Sequence, residues 1–297
     1  MFKNIIPHLV SIETELDKIN GFYLCDDFNM YESIKIKNDF HYKVAVSNNI
    51  VIPPDYDFRN GHYFKKGDTW YYSRKVGFIT LKLSYNITKR IFTYNKAYSY
   101  LPFEIGHIFP PGRHLADLIV SDLFLKDYFF IRGCAAHYHG KNMVFIAPSY
   151  NGKTSLIEKI IDQGGKFISE DYIILESKTM SIFPTPCLNT DSRLVNSRLR
   201  NKLLKNNIIT HVSHADKFVF YYNRSTVKQA KNKKTLISFL ILRSMFFFES
   251  DFIKSYIFKQ NATLKFLQKI NNINKIKIEC RIIQINNYQF DSFLKDD

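Results

Sequence analysis

The sequence predicts an α/β core, a mixed sheet flanked by helices, preceded by a β-rich α+β domain. Three observations carry that prediction. The segment Met143 to Leu156, MVFIAPSYNGKTSL, runs from a short apolar strand through a turn-rich loop into a helix. From Gly21 to Tyr100, β-prone runs alternate with turn clusters. Between the two regions stands Pro110-Pro111-Gly112, a break in which neither helix nor strand is expected to continue. It divides the chain into domains at 1–110 and 111–297.

In the first domain, Lys43 to Val46, Thr69 to Tyr72, Phe78 to Leu83 and Arg90 to Tyr94 are β-prone, and Pro53-Pro54 and Asn60-Gly61 supply turns. These read as the strands of a small sheet. The domain carries no catalytic signature, and recognition or dimerisation is its expected role. After the break, Arg113 to Phe124 places Leu115, Leu118, Ile119, Leu123 and Phe124 at helical spacing, so a helix is predicted there.

The core follows in an orderly way. Met143 to Ile146 is an apolar strand, and Thr154 to Asp162 carries Leu156, Ile157, Ile160 and Ile161 on one helical face. Gly164-Gly165 is the stop signal. Lys166 to Ser169 reads as a second strand that delivers Glu170 and Asp171, and Tyr172 to Leu175 continues it. Successive strand residues face opposite ways, so both carboxylates can serve one site only if the backbone loses its regularity at the pair.

The loop fits the pattern A/G-x-x-x-x-G-K-[ST] with Ala147, Gly152, Lys153 and Thr154. In such a loop, backbone N–H groups and the helix N-terminus surround phosphates, the lysine reaches the terminal ones, and the hydroxyl ligates magnesium. The expected nucleotide contacts are Ala147, Ser149, Tyr150, Asn151, Gly152, Lys153, Thr154 and Ser155. Of Glu170 and Asp171, one carboxylate can hold magnesium, directly or through water, and the second can accept a proton from an incoming hydroxyl. The plainer reading, a strand-to-helix connection that binds nothing, stays open.

Beyond Pro186, Ser192 to Asn206 is a basic helical segment whose Arg193, Arg198 and Arg200 can touch phosphate or face water. Lys228, Lys231, Lys233 and Lys234 suggest a solvated loop, Leu236 to Leu242 and Met245 to Phe248 buried elements, and Lys277 to Ile285 a late strand. His137 and His139 lie two apart before the loop and lack further ligands at zinc-like spacing.

Composition narrows the function classes. With 45% hydrophobic residues the chain can bury sizeable cores and is not disordered. Cys25, Cys134, Cys187 and Cys280 form no C-x-x-C pair, against a disulfide framework or zinc knuckle. The absence of any run of about 20 apolar residues argues against a membrane partner, and a cytoplasmic location is expected. The net charge of +15 invites a nucleic-acid reading, yet the lysines are spread along the chain among Asn, Ile, Phe and Tyr. No nucleic-acid partner is expected.

The stretch RGCAAHYHGKNMVFIAPSYNGKTSLIEKIIDQGGKFISEDYIILE, followed by IFPTP, resembles the nucleotide-binding core of HPr kinase/phosphorylase and its stand-alone relatives, among them peptide serine kinases. The resemblance covers Arg132 to Pro186: a hairpin, the loop, an acidic pair after a strand, and Pro-x-Pro. It implies an HPr-kinase-like core for 111–297, with ATP and Mg2+ as cofactors and a protein or peptide as acceptor. Lys153 and Thr154 then hold phosphate and metal, while Glu170 and Asp171 serve as metal ligand and catalytic base. The family usually has a histidine at the position of Arg132 and a glycine at that of Tyr150. Arg132 can neutralise transition-state charge but cannot carry a proton near neutral pH.

Two function classes follow. One is an ATP-dependent kinase acting on a serine-type hydroxyl of a protein or peptide, with small-molecule hydroxyls as a variant. The other is a nucleotide-binding or recognition subunit without catalysis. A homo-oligomer is compatible with both.

Overall fold

The computed structural model describes residues 2–22, 24, 38–100, 108–147, 151–170, 172–185, 208–223, 268 and 279–285. Two compact units meet in the sequence between Ser121 and Asp122.

The first unit is built on β1 (Phe2–Ile6), β2 (Val10–Glu13), β3 (Phe40–Val46), β4 (Phe58–Asn60), β5 (Tyr63–Lys66), β6 (Thr69–Val76), β7 (Ile79–Asn86) and β8 (Ile91–Tyr94). They form one sheet in the order β1-β2-β3-β8-β7-β6-β5-β4. The neighbours are antiparallel except at β2–β3 and β3–β8. Strands β3, β6 and β7 alternate between buried and less buried positions, which is the period-2 signal visible in the sequence. Strands β1 and β2 do not alternate, since nearly all their residues are buried. The sheet therefore begins well before Gly21, where the sequence reading started it.

A single 3-10 turn, Lys96–Tyr100, follows β8, and the helix α1 spans Pro111–Leu125. Pro111 suits the first helical position, where its missing N–H has no intrahelical partner to lose. Its buried residues include His114, Asp117 and Ser121 as well as the apolar set Leu115, Leu118, Ile119, Leu123 and Phe124. A helix buried on nearly every side shows only a weak amphipathic contrast in sequence.

The second unit contains β9 (Tyr128–Tyr138), β10 (Lys141–Ile146), α2 (Lys153–Asp162), β11 (Lys166–Ser169), β12 (Tyr172–Glu176), β13 (Ser181–Phe183), β14 (Ser213–His214), β15 (Lys217–Asn223) and β16 (Glu279–Ile285). The sheet order is β14-β13-β12-β9-β10-β15-β16, with β11 also pairing β9. It is a mixed sheet: β10, β15 and β16 are parallel, and the other pairings are antiparallel. The β9–β10 hairpin closes on His139 (φ 47°) and Gly140 (φ 75°), the two left-handed residues that suit a tight hairpin.

Among the described residues of this unit, α2 packs on the sheet through Leu156, Ile157, Ile160 and Ile161. They meet Cys134, Ala136, Tyr138, Met143, Phe145, Phe167, Val219 and Tyr221. Each fully buried Leu, Ile or Phe side chain contributes about 1.5–3 kcal/mol. The helix ends as Gly164-Gly165 requires: Gly164 N–H donates to Ile161 O at 3.0 Å and Gly165 N–H to Ile160 O at 2.9 Å. The expected elements at 192–206 and 236–248 lie outside the described residues, as do Arg193, Arg198 and Arg200 and the loop lysines Lys228, Lys231, Lys233 and Lys234. Among the described residues no helix is long and apolar enough to cross a membrane.

Candidate functional site

The site forms where β10 ends. Ile146 and Ala147 are buried at the carboxyl end of a strand flanked by parallel β15, the end at which open α/β sheets bind ligands. The chain re-enters the described structure at Asn151, also buried. Gly152 then caps α2 with φ 73° and ψ 30°, a left-handed conformation that costs a residue with a Cβ about 1–2 kcal/mol.

Lys153 is the first residue of α2 and is buried, with Nζ donating to Ala147 O at 3.4 Å. No side chain caps this helix and no acidic residue occupies its first turn. The first turn of the helix thus contributes a lysine and no acidic residue of its own, where acidic residues are usually preferred. An anionic ligand there would accept hydrogen bonds from the first-turn N–H groups. Thr154 is partly exposed and Ser155 exposed.

The strand opposite supplies the carboxylate. Along β9, Phe167 lies opposite Ala136 and Ser169 opposite Ala135, so Ile168 is an extra residue on β11. Such a bulge reverses the facing of every residue beyond it. Glu170 therefore shares the face of Phe167, which packs against α2, and the Thr154 hydroxyl donates to Glu170 Oε1. The ladder resumes at Tyr172 opposite Arg132 with no further shift. Between Ser169 and Tyr172 the strand is interrupted, and Tyr172 N–H turns back to Glu170 O at 2.8 Å.

Thr185, central in Pro184-Thr185-Pro186, reaches both sides of that interruption. Its N–H donates to Ser169 Oγ at 3.0 Å and its hydroxyl to Tyr172 O. Arg132 is partly exposed and lies one step past the last β9–β10 pair, Gly133 with Ile146. By strand alternation it shares the face of Cys134. Gly133 is needed at this crossing, because a Cβ there would stand 2.7 Å from Phe145 O and 2.8 Å from Ile173 Cδ1. Cys134 is buried, its Sγ 3.8 Å from Lys153 O. Tyr221 on β15 is buried in the same cluster. Burial pushes its phenol well above the usual range, and the neighbouring Cys134 and Glu170 push it further.

The geometry thus gathers Ala147, Asn151, Gly152, Lys153, Thr154, Glu170 and Arg132 at one end of the sheet. Ser149, Tyr150 and Asp171 lie outside the described residues. His137 and His139 are elsewhere: the hairpin turn sits at the opposite end of β10 from the loop, on the order of 20 Å away at the usual rise per strand residue. His137 Nδ1 is 2.9 Å from Asn142 Oδ1, and His139 stacks on Tyr138. Sequence reasoning missed Tyr221, Cys134 and Thr185. The run KFVFYY at 217–222 carried a strand signal that would have found Tyr221.

Among the described residues, no three His, Cys, Asp or Glu side chains cluster to hold a metal ion. The Thr154 hydroxyl and the Glu170 carboxylate are hard oxygen donors. Together with phosphate oxygens and water they fit magnesium, which takes few protein ligands.

No protein-family model matches the chain, and no curated protein matches it. Among solved structures, the HPr(Ser) kinase/phosphatase from Coxiella burnetii is similar at a TM-score of 0.26 and 12% identity, over 35% of this chain and 71% of that one. What this chain does is therefore read from its own residues.

Proposed function

We propose that the protein is an ATP- and magnesium-dependent phosphotransferase that moves the γ-phosphoryl group to a serine-type hydroxyl of a protein or peptide. One observation carries the reading. Lys153, at the uncapped start of α2, adjoins Thr154, whose hydroxyl bonds the buried Glu170 presented by a bulged strand. A strand-to-helix connection that bound nothing would have no use for this placement.

In the reaction, the acceptor oxygen attacks the γ-phosphorus while the bond from that phosphorus to the bridging oxygen breaks, and ADP leaves with the electron pair. Asp171 takes the hydroxyl proton. Lys153 neutralises phosphate oxygens, the first-turn N–H groups of α2 orient them, and Arg132 offsets the charge that develops. Thr154 and Glu170 would hold a magnesium ion, which when bound would supply charge neutralisation. Positioning and charge stabilisation supply most of the rate, so an arginine in place of a histidine is compatible with transfer. Recognition of the acceptor, or dimerisation, falls to domain 1–110. ATP and magnesium are at hand in the cytoplasm, the proposed location.

A second reading, nucleotide binding without transfer, draws on Ala147: it stands where the loop pattern prefers glycine and is buried in the core cluster. Two measurements separate the readings. Calorimetry with ATP and with GTP, with and without magnesium, tests binding. Mass spectrometry of serine-containing peptides incubated with magnesium and ATP tests transfer. Asp171→Asn should keep nucleotide affinity and lose about 10²–10⁴-fold in turnover. Binding with neither transfer nor ATP hydrolysis favours the second reading; no binding of either nucleotide at millimolar concentration removes both.

A further inference from the structure

We propose that Thr185 is a positioning residue of this site, holding the strand interruption in the conformation that presents Glu170 to Thr154. The inference rests on the phosphotransferase reading and adds a residue that touches neither nucleotide nor metal. Thr185 and Ser169 are almost completely buried. The Thr185 N–H takes Ser169 Oγ at 3.0 Å, its hydroxyl takes the Tyr172 carbonyl, and Ser169 and Thr185 form an isolated parallel bridge. Both bonds flank Glu170, one on each side.

The two prolines explain why the clamp is a threonine held in this way. In the β12–β13 ladder Phe183 lies opposite Ile174, so continuing the register brings Thr185 opposite Tyr172. Pro184 alternates away from β12, so its missing N–H takes nothing from that ladder, and Pro186 biases Thr185 toward an extended backbone. Thr185 is thus set in an extended conformation before it makes any contact, with its N–H turned to Ser169 and its hydroxyl acting in place of a ladder donor. An interrupted strand has carbonyls that no neighbouring strand satisfies, and leaving one buried and unpaired costs about 1–3 kcal/mol. The Tyr172 carbonyl receives its bond from Thr185, which ties the interruption to β13.

The test uses the full chain with Thr185→Val, which keeps the branched shape and the backbone N–H but removes the hydroxyl, and Thr185→Ser, which keeps the hydroxyl. Calorimetry measures ATP affinity in EDTA and in magnesium, and hydrogen exchange follows residues 166–176 without nucleotide. For T185V the expected result is faster exchange over 166–176, metal-free ATP affinity within twofold of the parent, and loss of at least tenfold of the magnesium-dependent gain. T185S should restore that gain. Ser169→Ala removes the other arm of the clamp and should split the two affinities in the same direction; it carries the test together with T185S if T185V does not fold. The proposal is overturned if the valine variant keeps the magnesium-dependent gain, if it loses affinity equally with and without magnesium, or if serine fails to rescue it. A parent that binds no nucleotide removes the phosphotransferase reading and this one together; a parent with a magnesium-dependent gain that T185V retains removes this one alone.

Discussion

The hydroxyl of Thr154 on α2 donates to the carboxylate of Glu170, just past the end of β11, and so joins the start of the helix to the end of that strand. The pair is separated by 16 positions in sequence and meets only because Ile168 is an extra residue on β11. Glu170→Gln keeps the size and removes the charge. It should abolish the magnesium-dependent part of ATP affinity while leaving metal-free affinity within a few-fold. Thr154→Val should give a similar loss, and the double variant should lose less than the sum, as for residues that act through one another. Calorimetry on the four proteins closes the cycle; strict additivity would mean that the two side chains do not share an ion.

Lys153→Met separates charge from packing. The lysine stem is buried and its ammonium meets a backbone carbonyl, so methionine keeps the volume. A charge-assisted hydrogen bond to phosphate is worth about 1.5–3 kcal/mol, and ATP affinity should fall roughly 10- to 100-fold. A variant that binds ATP as the parent does would remove the lysine from the phosphate site.

His114 makes the stability of the protein depend on acid. It is buried beside Tyr63, Tyr72 and Phe109, and its Nε2 makes no hydrogen bond among the described residues. Burial, with a smaller contribution from the adjacent Arg113, pushes its pKa down to about 3 from 6.5. The unfolded chain therefore binds a proton between these values that the folded chain refuses. The stability due to neutral His114 is full above pH 6.5 and is lost as pH falls toward 3, at about 1.4 kcal/mol per pH unit. Urea titrations of the parent and His114→Leu at several pH values should show the difference between them shifting in that window and constant above it.

Gly133→Ala should destabilise the second unit without touching a ligand. The new Cβ meets the Phe145 carbonyl at 2.7 Å, and backbone on both sides of β9 leaves little room to yield. Overpacking of this kind costs about 1–3 kcal/mol, readable as a fall in Tm of about 2–4 °C per kcal/mol. An unchanged Tm would mean that β9 and β10 can separate locally.

Much of the second unit was legible because its signals are local. Met143 to Ile146, Gly152-Lys153-Thr154, the apolar positions of α2 and Gly164-Gly165 each fix a neighbouring piece of backbone. The need for irregularity at Glu170 also followed from strand geometry. Its cause did not, since Ile168 looks like any strand residue and only the partner register reveals it as extra. Strands β1 and β2 were missed because their burial has no period of two. Thr185 was hidden for another reason: a side chain that satisfies distant carbonyls leaves no mark in its own segment beyond the two flanking prolines.

The parallel pairing of β10 with β15 sets a timetable for synthesis. Met143 pairs with Lys217, so the second strand leaves the ribosome roughly 70 residues after the first, about 4–15 s later at ordinary elongation rates. During that interval β10 has its hairpin partner β9 on one side and an open row of donors and acceptors on the other. Such an edge invites pairing with another nascent chain. The end of β10 that leads toward α2 is then a late-maturing part of the protein, and slow translation of the intervening residues is expected to reduce yield before it affects activity.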